Sequence, residues 1–306
     1  MAIPGTAPTY CGRFAPSPTG PLHFGSLVAA LASYLDARWH RGRWLLRIDN
    51  IDPAREVPGA AAGIQRTLEA IGLTWDGPVQ MQSERMDRYR EALERLARRG
   101  ATFPCGCSRR EVAATGRRGP GGPIYPGTCR GGLPAGRKPR VIRLRTEAAR
   151  ARFVDAIQGE VSCCLDTAVG DFVIRRADGG VAYHLAAAVD DGDPVITHVV
   201  RGADLLDSTA PQLHLMKLLG LQPPVYMHLP VAINRAGQKL SKQTHARALE
   251  PAEAGRLLHQ ALTFLRQEPP RELLGTPPRE LLHWAVPHWN PAPLRGIREV
   301  AAPDTP

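Results

Sequence analysis

Apolar positions along the chain switch repeatedly between helical and strand-like spacing, which predicts an α/β domain built on a mainly parallel sheet. Tyr10 to Arg13 reads as a strand that breaks into a helix over Phe24 to Arg41, where Leu27, Leu31, Tyr34 and Leu35 recur at helical spacing and Gly42 marks the stop. Arg43 to Ile48 reads as the second strand. Ile64, Leu68 and Ile71 mark a helix closed by Gly72, and Tyr89, Leu93 and Leu96 mark one closed by Gly100. Strand-like runs return at Val141 to Leu144, Phe172 to Ile174 and Val195 to Val200, ahead of a helix over Pro211 to Leu219 and a strand over Val225 to Leu229. Leu257, Leu258, Ala261, Leu262 and Leu265 form a further helical stripe, followed by a short helix from Arg279 to His288 and a tail from Pro291 that is expected to be flexible.

Periodicity fails between Cys105 and Arg140, where Gly, Pro, Arg and Cys dominate, so this stretch reads as an insertion. It divides the chain into a first half of the α/β domain (1–104), the insertion (105–140), a second half (141–245), a short helical region (246–290) and the tail (291–306).

A chain of 306 residues, 43% of them hydrophobic, can bury a substantial core. Its 30 glycines and 29 prolines make up about a fifth of the residues, below the roughly 25–30% of low-complexity chains, so a globular, loop-rich fold is expected. The formal charge of +10 suits a polyanionic partner without choosing between RNA, DNA and a membrane surface. No apolar run approaches the ~20 residues of a membrane span, and the start lacks the basic and apolar regions of a signal peptide, so a cytoplasmic protein without membrane attachment is expected. The six cysteines do not read as a disulfide framework in a chain this long. Cys105, Cys107 and Cys129 instead offer three soft ligands to Zn²⁺, with no histidine between His40 and His184 to supply a fourth.

Two remote stretches carry the chemistry. Pro16 to Ser26 places small residues and an imidazole at the strand-to-helix break, where backbone N–H groups and the helix dipole can face phosphates. Lys239-Leu240-Ser241-Lys242 brings two ammonium groups and a hydroxyl on a loop. Charge of that kind suits a leaving pyrophosphate, because adenylyl transfer is catalysed mainly by positioning and electrostatics.

His23-Phe24-Gly25-Ser26, the Lys-rich loop, and Arg47 to Arg55 between them resemble class I aminoacyl-tRNA synthetases of the glutamyl type. Gly12 to Ser17, Tyr125 to Cys129, Thr197 to Thr209 and Lys239 to Gln243 narrow the likeness to a shortened paralogue group of that family. The resemblance implies a Rossmann-like catalytic domain with a zinc-containing insertion and a short helical C-terminal region. It also implies activation of L-glutamate by ATP with Mg²⁺ and no tRNA bound, then transfer of glutamate to queuosine in the anticodon of tRNA(Asp), by a monomer. Pro306 comes too soon after Lys242 for the helical anticodon-binding region of a full glutamyl enzyme. Two alternatives remain: ligation to the 3′ end of tRNA(Glu) or tRNA(Gln), and an inactive zinc-containing RNA-binding paralogue.

On this resemblance His23 donates to an ATP phosphate, Gly25 and Ser26 lie against the nucleotide, Lys242 neutralises pyrophosphate, and Lys239 and Ser241 assist. Arg13, Phe14, Ala15, Pro16, Ser17, Asp49, Tyr183 and Arg201 match the glutamate-binding positions, with Asp49 receiving the ammonium on a shorter arm than the family's more frequent Glu. Asn50 replaces a frequent Asp, and Ala187 stands where many tRNA(Glu) ligases carry asparagine. Tyr125 becomes the fourth zinc ligand, in a structural role. His184, Cys11, Cys163 and Cys164 are expected to pack, and Arg109, Arg110, Arg117, Arg118, Arg130, Arg137, Lys138 and Arg140 form a candidate phosphate-contacting face.

Overall fold

The computed structural model describes residues 9–119, 122–234, 236–240 and 247–303. The chain opens with β1 (Cys11–Phe14), α1 (Phe24–Trp39), β2 (Arg43–Ile48), α2 (Ala60–Ala70), β3 (Gln80–Met81) and α3 (Met86–Arg98). β4 (Thr102–Cys105) leads into α4 (Arg109–Thr115) and a small hairpin of β5 (Arg118–Gly119) and β6 (Gly122–Pro123). Next come β7 (Val141–Leu144), the hairpin of β8 (Arg150–Asp155) and β9 (Gly159–Cys164), α5 (Leu165–Ala168), β10 (Val173–Arg175) and α6 (Tyr183–Asp191). β11 (His198–Gly202), α7 (Leu206–Leu219), β12 (Val225–Leu229), β13 (Val231–Ile233), α8 (Ala254–Phe264), α9 (Pro278–His288) and β14 (Glu299–Ala301) complete it.

β1, β2 and β3 form one parallel sheet, and β11, β12 and β8 run parallel in another that ends on antiparallel β9. Thr197, just before β11, joins the two: its N–H donates to the Cys11 carbonyl at 3.0 Å, and its Oγ1 accepts from the Cys11 N–H at 2.8 Å. Strand order therefore diverges on either side of β1 and β11, and in such sheets the crevice beyond the strand ends at that point is where ligands sit.

The core explains why α1 is so apolar. Leu27, Leu31 and Leu35 are fully buried between the sheet and helices α8 and α9, so truncating Leu31 to alanine is expected to cost about 2–5 kcal/mol. Trp289, beyond α9, donates its indole N–H to Asp36 of α1 at 2.9 Å. The C-terminal helices thus share one core with the N-terminal half. Gly42 is required where the chain turns from α1 into β2, since a Cβ there would lie 2.3 Å from the Tyr10 carbonyl oxygen.

Several elements depart from the periodicity. α7 starts at Leu206 and runs through Pro211, its sixth residue, which has no N–H for the helical bond to Asp207; the helix continues to Leu219 across that missing bond. α6 and the β8–β9 hairpin have no counterpart in the apolar pattern. The insertion holds α4, closed at its start by a reciprocal cap: Ser108 accepts from Glu111 N–H at 3.2 Å and Glu111 from Ser108 N–H at 2.7 Å. The tail expected to be flexible from Pro291 instead includes β14, which pairs in parallel with β13 and extends the fold.

Candidate active site

The two chemistry-bearing stretches meet. His23 precedes the first turn of α1 and pairs as an antiparallel bridge with Ala248, while Leu249 N–H donates to the Leu22 carbonyl at 3.0 Å. From the other side Leu240 approaches Gly25: a Cβ on Gly25 would lie 3.8 Å from the Leu240 oxygen and 3.2 Å from the His23 ring. A Cβ there would press on the imidazole and require it to give slightly, so glycine leaves the ring its room. Ser26 is half-buried in the same first turn, which has no acidic residue to repel an anion. Lys239 forms an ion pair with Asp204, while the Ser241 and Lys242 assignments fall outside the described residues.

Behind this lies a buried network of charge. Arg13, on β1, gives Nε and Nη2 to the two oxygens of Asp191, each at 3.0 Å. Arg47, on β2, donates to Asp191 at 2.8 Å and to Asp49 at 2.7 Å. Burial opposes ionisation of Asp191, but Arg13 and Arg47 overcome it and hold the carboxyl well below the usual carboxylate range. For Asp49 the balance reverses: burial outweighs Arg47 and pushes the carboxyl up to about 6. Asp49 N–H donates to the Pro16 carbonyl at 2.9 Å, tying the exits of β1 and β2 together.

Ser17, Asp49 and Tyr183 line one cleft with Asn50, Gln82 and Arg176. Arg13, Phe14 and Arg201 are buried, with Ala15 and Pro16 half-buried between. The charges of both arginines act on Asp191 and on the Tyr226 phenol, which places them in one neighbourhood. Arg201 pairs with neither Asp204 nor Asp207; it donates from Nε to His228 Nε2 at 3.0 Å and from Nη2 to Thr209 Oγ1 at 2.8 Å. Asn50 donates from Nδ2 to Ser83 Oγ and accepts the Ser83 N–H on Oδ1, each at 2.9 Å, a pattern an aspartate cannot match because it lacks the donor. Ala187 is buried. His184 packs edge-on against Phe172, and burial followed by Arg201 pushes its imidazole down to about 4, which keeps it neutral.

The insertion gathers its sulfurs. Cys105, Cys107 and Cys129 are buried with their Sγ atoms all within 4.8 Å of one another. Tyr125 Oη lies 3.4 Å from Cys105 Sγ and 3.9 Å from Cys107 Sγ, and accepts the Cys129 N–H at 2.7 Å. Arg143 donates to Cys105 Sγ at 3.3 Å and stacks over the Tyr125 ring, while Arg137 donates to Cys107 Sγ at 3.4 Å. Three soft donors and an oxygen converging on one point fit a tetrahedral Zn²⁺ shell; against burial, hydrogen bonds from Tyr125 and Arg143 lower the pKa of the Cys105 thiol, whereas burial raises that of Cys107.

The motif pattern does not single out Asp190 or Asp191, and it assigns no part to Arg47. The signal was a pair of acids closing the apolar run Leu185 to Val189, since two adjacent carboxylates on a buried helix require cationic partners. Asp190 finds them in Arg85 at 2.8 Å and in hydrogen bonds from Gln82 at 2.7 Å and Tyr89 at 2.8 Å.

Residues 11–254 match the tRNA synthetases class I (E and Q), catalytic domain. A glutamyl-Q tRNA(Asp) synthetase from Aromatoleum aromaticum is 53% identical over 94% of this chain and 91% of its own length. Another from Dechloromonas aromatica is 55% identical over 92% of this chain and 94% of its own. Among solved structures, a glutamate tRNA ligase from Elizabethkingia meningosepticum, determined with its amino acid, is 26% identical with a TM-score of 0.74. This chain is covered to 96% in that comparison and spans about two thirds of the ligase, 66% of its length. The chain belongs to the glutamyl-Q tRNA(Asp) synthetase family of class I tRNA synthetases.

Proposed function

We propose that the protein activates L-glutamate with ATP in the absence of tRNA and then transfers it to queuosine in the anticodon of tRNA(Asp). One observation carries the reading: the His23–Gly25 turn is flanked by Leu240 and Ala248, described residues on either side of the stretch that holds Ser241 and Lys242, which supports reading imidazole and lysine loop as parts of one site. The names and near full-length match of the relatives support the choice of substrate and acceptor.

In the first step a glutamate carboxylate oxygen attacks the α-phosphorus of ATP and the bond to pyrophosphate breaks, giving glutamyl-adenylate. His23 donates to a phosphate oxygen, and Gly25 and Ser26 let the nucleotide approach the backbone. Lys242, with Lys239 and Ser241, neutralises the departing charge, and Mg²⁺ accompanies the ATP. Arg13 and Arg201, with Tyr183 and the turn from Phe14 to Ser17, hold the substrate, and ionised Asp49 takes its ammonium. In the second step an acceptor hydroxyl attacks the acyl carbonyl and releases AMP. Cys105, Cys107, Cys129 and Tyr125 would hold a structural Zn²⁺ whose closed shell staples the insertion.

Glutamate-dependent ATP–pyrophosphate exchange without RNA tests the first step, and its absence would sink the reading. Mapping the modified nucleotide by mass spectrometry after reaction with bulk tRNA tests the second; a glutamyl ester at the 3′ end would overturn the acceptor. Lys242→Ala is expected to lower exchange by orders of magnitude while leaving the fold intact.

A further inference from the structure

Arg201 is held by a chain of buried groups that reaches across three strands. Asp155, at the end of β8, accepts on Oδ1 from the N–H groups of Ile157, Gln158 and His228 at 3.0, 2.9 and 3.2 Å. Its Oδ2 lies 2.6 Å from His228 Nδ1 on β12, and both side chains are fully buried. Burial opposes the charge on Asp155, yet the His228 and backbone hydrogen bonds lower its pKa, so the carboxylate stays ionised and accepts only. The proton between them therefore sits on Nδ1. That leaves a lone pair on Nε2, which faces the Nε–H of Arg201 at 3.0 Å; a guanidinium has no acceptor, so His228 must be the acceptor. Thr209 Oγ1 takes the Nη2 of Arg201 at 2.8 Å and lies 3.1 Å from the same Nε2. Two of the three nitrogens are thus fixed. Nη1 is buried without a hydrogen-bond partner among the described residues, and so is Nδ1 of His184, whose charge Arg201 disfavours. A buried guanidinium N–H left unpaired is costly unless a ligand supplies the acceptor.

We propose that Asp155 and His228 are positioning residues, a carboxylate–imidazole pair that fixes the fork of Arg201 so that Nη1 is presented to a carboxylate of the substrate. The inference rests on the reading that Arg201 meets glutamate. Removing the Nε2 acceptor frees the guanidinium to rotate and weakens glutamate while leaving ATP untouched. A merely structural role would move both substrates together.

The test is ATP–pyrophosphate exchange with each substrate varied in turn, on His228→Leu, His228→Gln and Arg201→Lys. His228→Leu is expected to raise the KM for glutamate tenfold or more with the KM for ATP within twofold. His228→Gln, whose amide oxygen can accept from Nε, should recover most of the loss. Equal changes in both KM values, or none, overturn the positioning role. An unchanged glutamate KM in Arg201→Lys overturns the reading beneath it instead, because a lysine cannot reproduce the fork. Should His228→Leu fail to fold, ¹⁵N NMR of the unaltered protein, with His228 assigned through His228→Gln, decides: a proton on Nδ1 and a bare Nε2 are expected at neutral pH, and a protonated Nε2 overturns the proposal.

Discussion

Arg13 and Asp191 face each other through two parallel hydrogen bonds of 3.0 Å, from Nε and Nη2 to the two carboxylate oxygens, at a position where neither is open to solvent. Asp191 also serves Arg47 at 2.8 Å, so one carboxylate orients two guanidiniums on adjacent strands. Both forks then depend on a group that never needs to touch the substrate.

Asp191→Asn therefore removes the charge that two buried cations share. Breaking a buried pair by removing one partner costs about 3–5 kcal/mol, far more than an exposed pair is worth. Urea unfolding of the variant should show a loss of that size, together with weaker glutamate-dependent exchange. A loss below about 1 kcal/mol would mean that the network relaxes around the missing charge.

The carboxyl of Asp49 gives the site a pH dependence. Burial raises it to about 6, against the opposing pull of Arg47, so it is ionised above that pH and neutral below. A neutral carboxyl cannot attract the substrate ammonium, so kcat/KM for glutamate should rise with pH through about 6 and fall about tenfold per unit below it. His184 does not titrate in that window, since it is pushed down to about 4. Steady-state profiles from pH 5 to 8 check this, and Asp49→Asn should flatten the acid limb. A limb that persists in the variant assigns the titration to another group.

How much of this was legible in the chain depends on how local the signal is. β2 and β12 fall on the strand runs read from apolar residues, because buried parallel strands are continuous apolar stretches. The His23–Gly25 turn and the cysteine cluster were readable because their residue types are tied to one chemistry. The β8–β9 hairpin was not: Arg150, Arg152 and Glu160 interrupt its apolar pattern, and it is fixed through contacts with β12 that no local spacing encodes. The same holds for Asp155, His228 and Asp191. Each is a polar residue in an apolar run, and its partner lies tens to more than a hundred residues away. The short helix α4 escaped the reading of the chain: the Ser108–Glu111 cap marks its start, but the surrounding Gly and Pro leave no apolar period.

Zinc removal should act on the insertion first. Outside the cysteine cluster the insertion's buried apolar residues among those described are few, Val112, Ile124 and Tyr125, so the metal bonds carry much of its order. Elemental analysis is expected to find about one zinc per chain, lost in Cys105→Ser and Cys129→Ser. Chelation should expose the insertion to proteolysis while the α1 core persists. Full zinc retention by both variants would rule out this ligand set.

The exposed cations of the insertion supply the last prediction. Arg109, Arg110, Arg117, Arg118, Lys138 and Arg140 are all exposed, whereas Arg130 and Arg137 are already paired with Asp171 and Glu111. Such a face attracts RNA phosphates and releases counterions when they bind, so affinity falls as salt rises. Reversing the charge of Arg117 and Arg118 together should weaken tRNA binding and reduce the slope of log K against log salt by about one per lost phosphate contact. Glutamate activation without RNA should be unchanged, because both side chains are exposed on the insertion and neither is assigned a part in binding glutamate or ATP. If the salt slope of the double variant equals that of the unaltered protein, tRNA docks elsewhere and these arginines serve only to keep the insertion solvated.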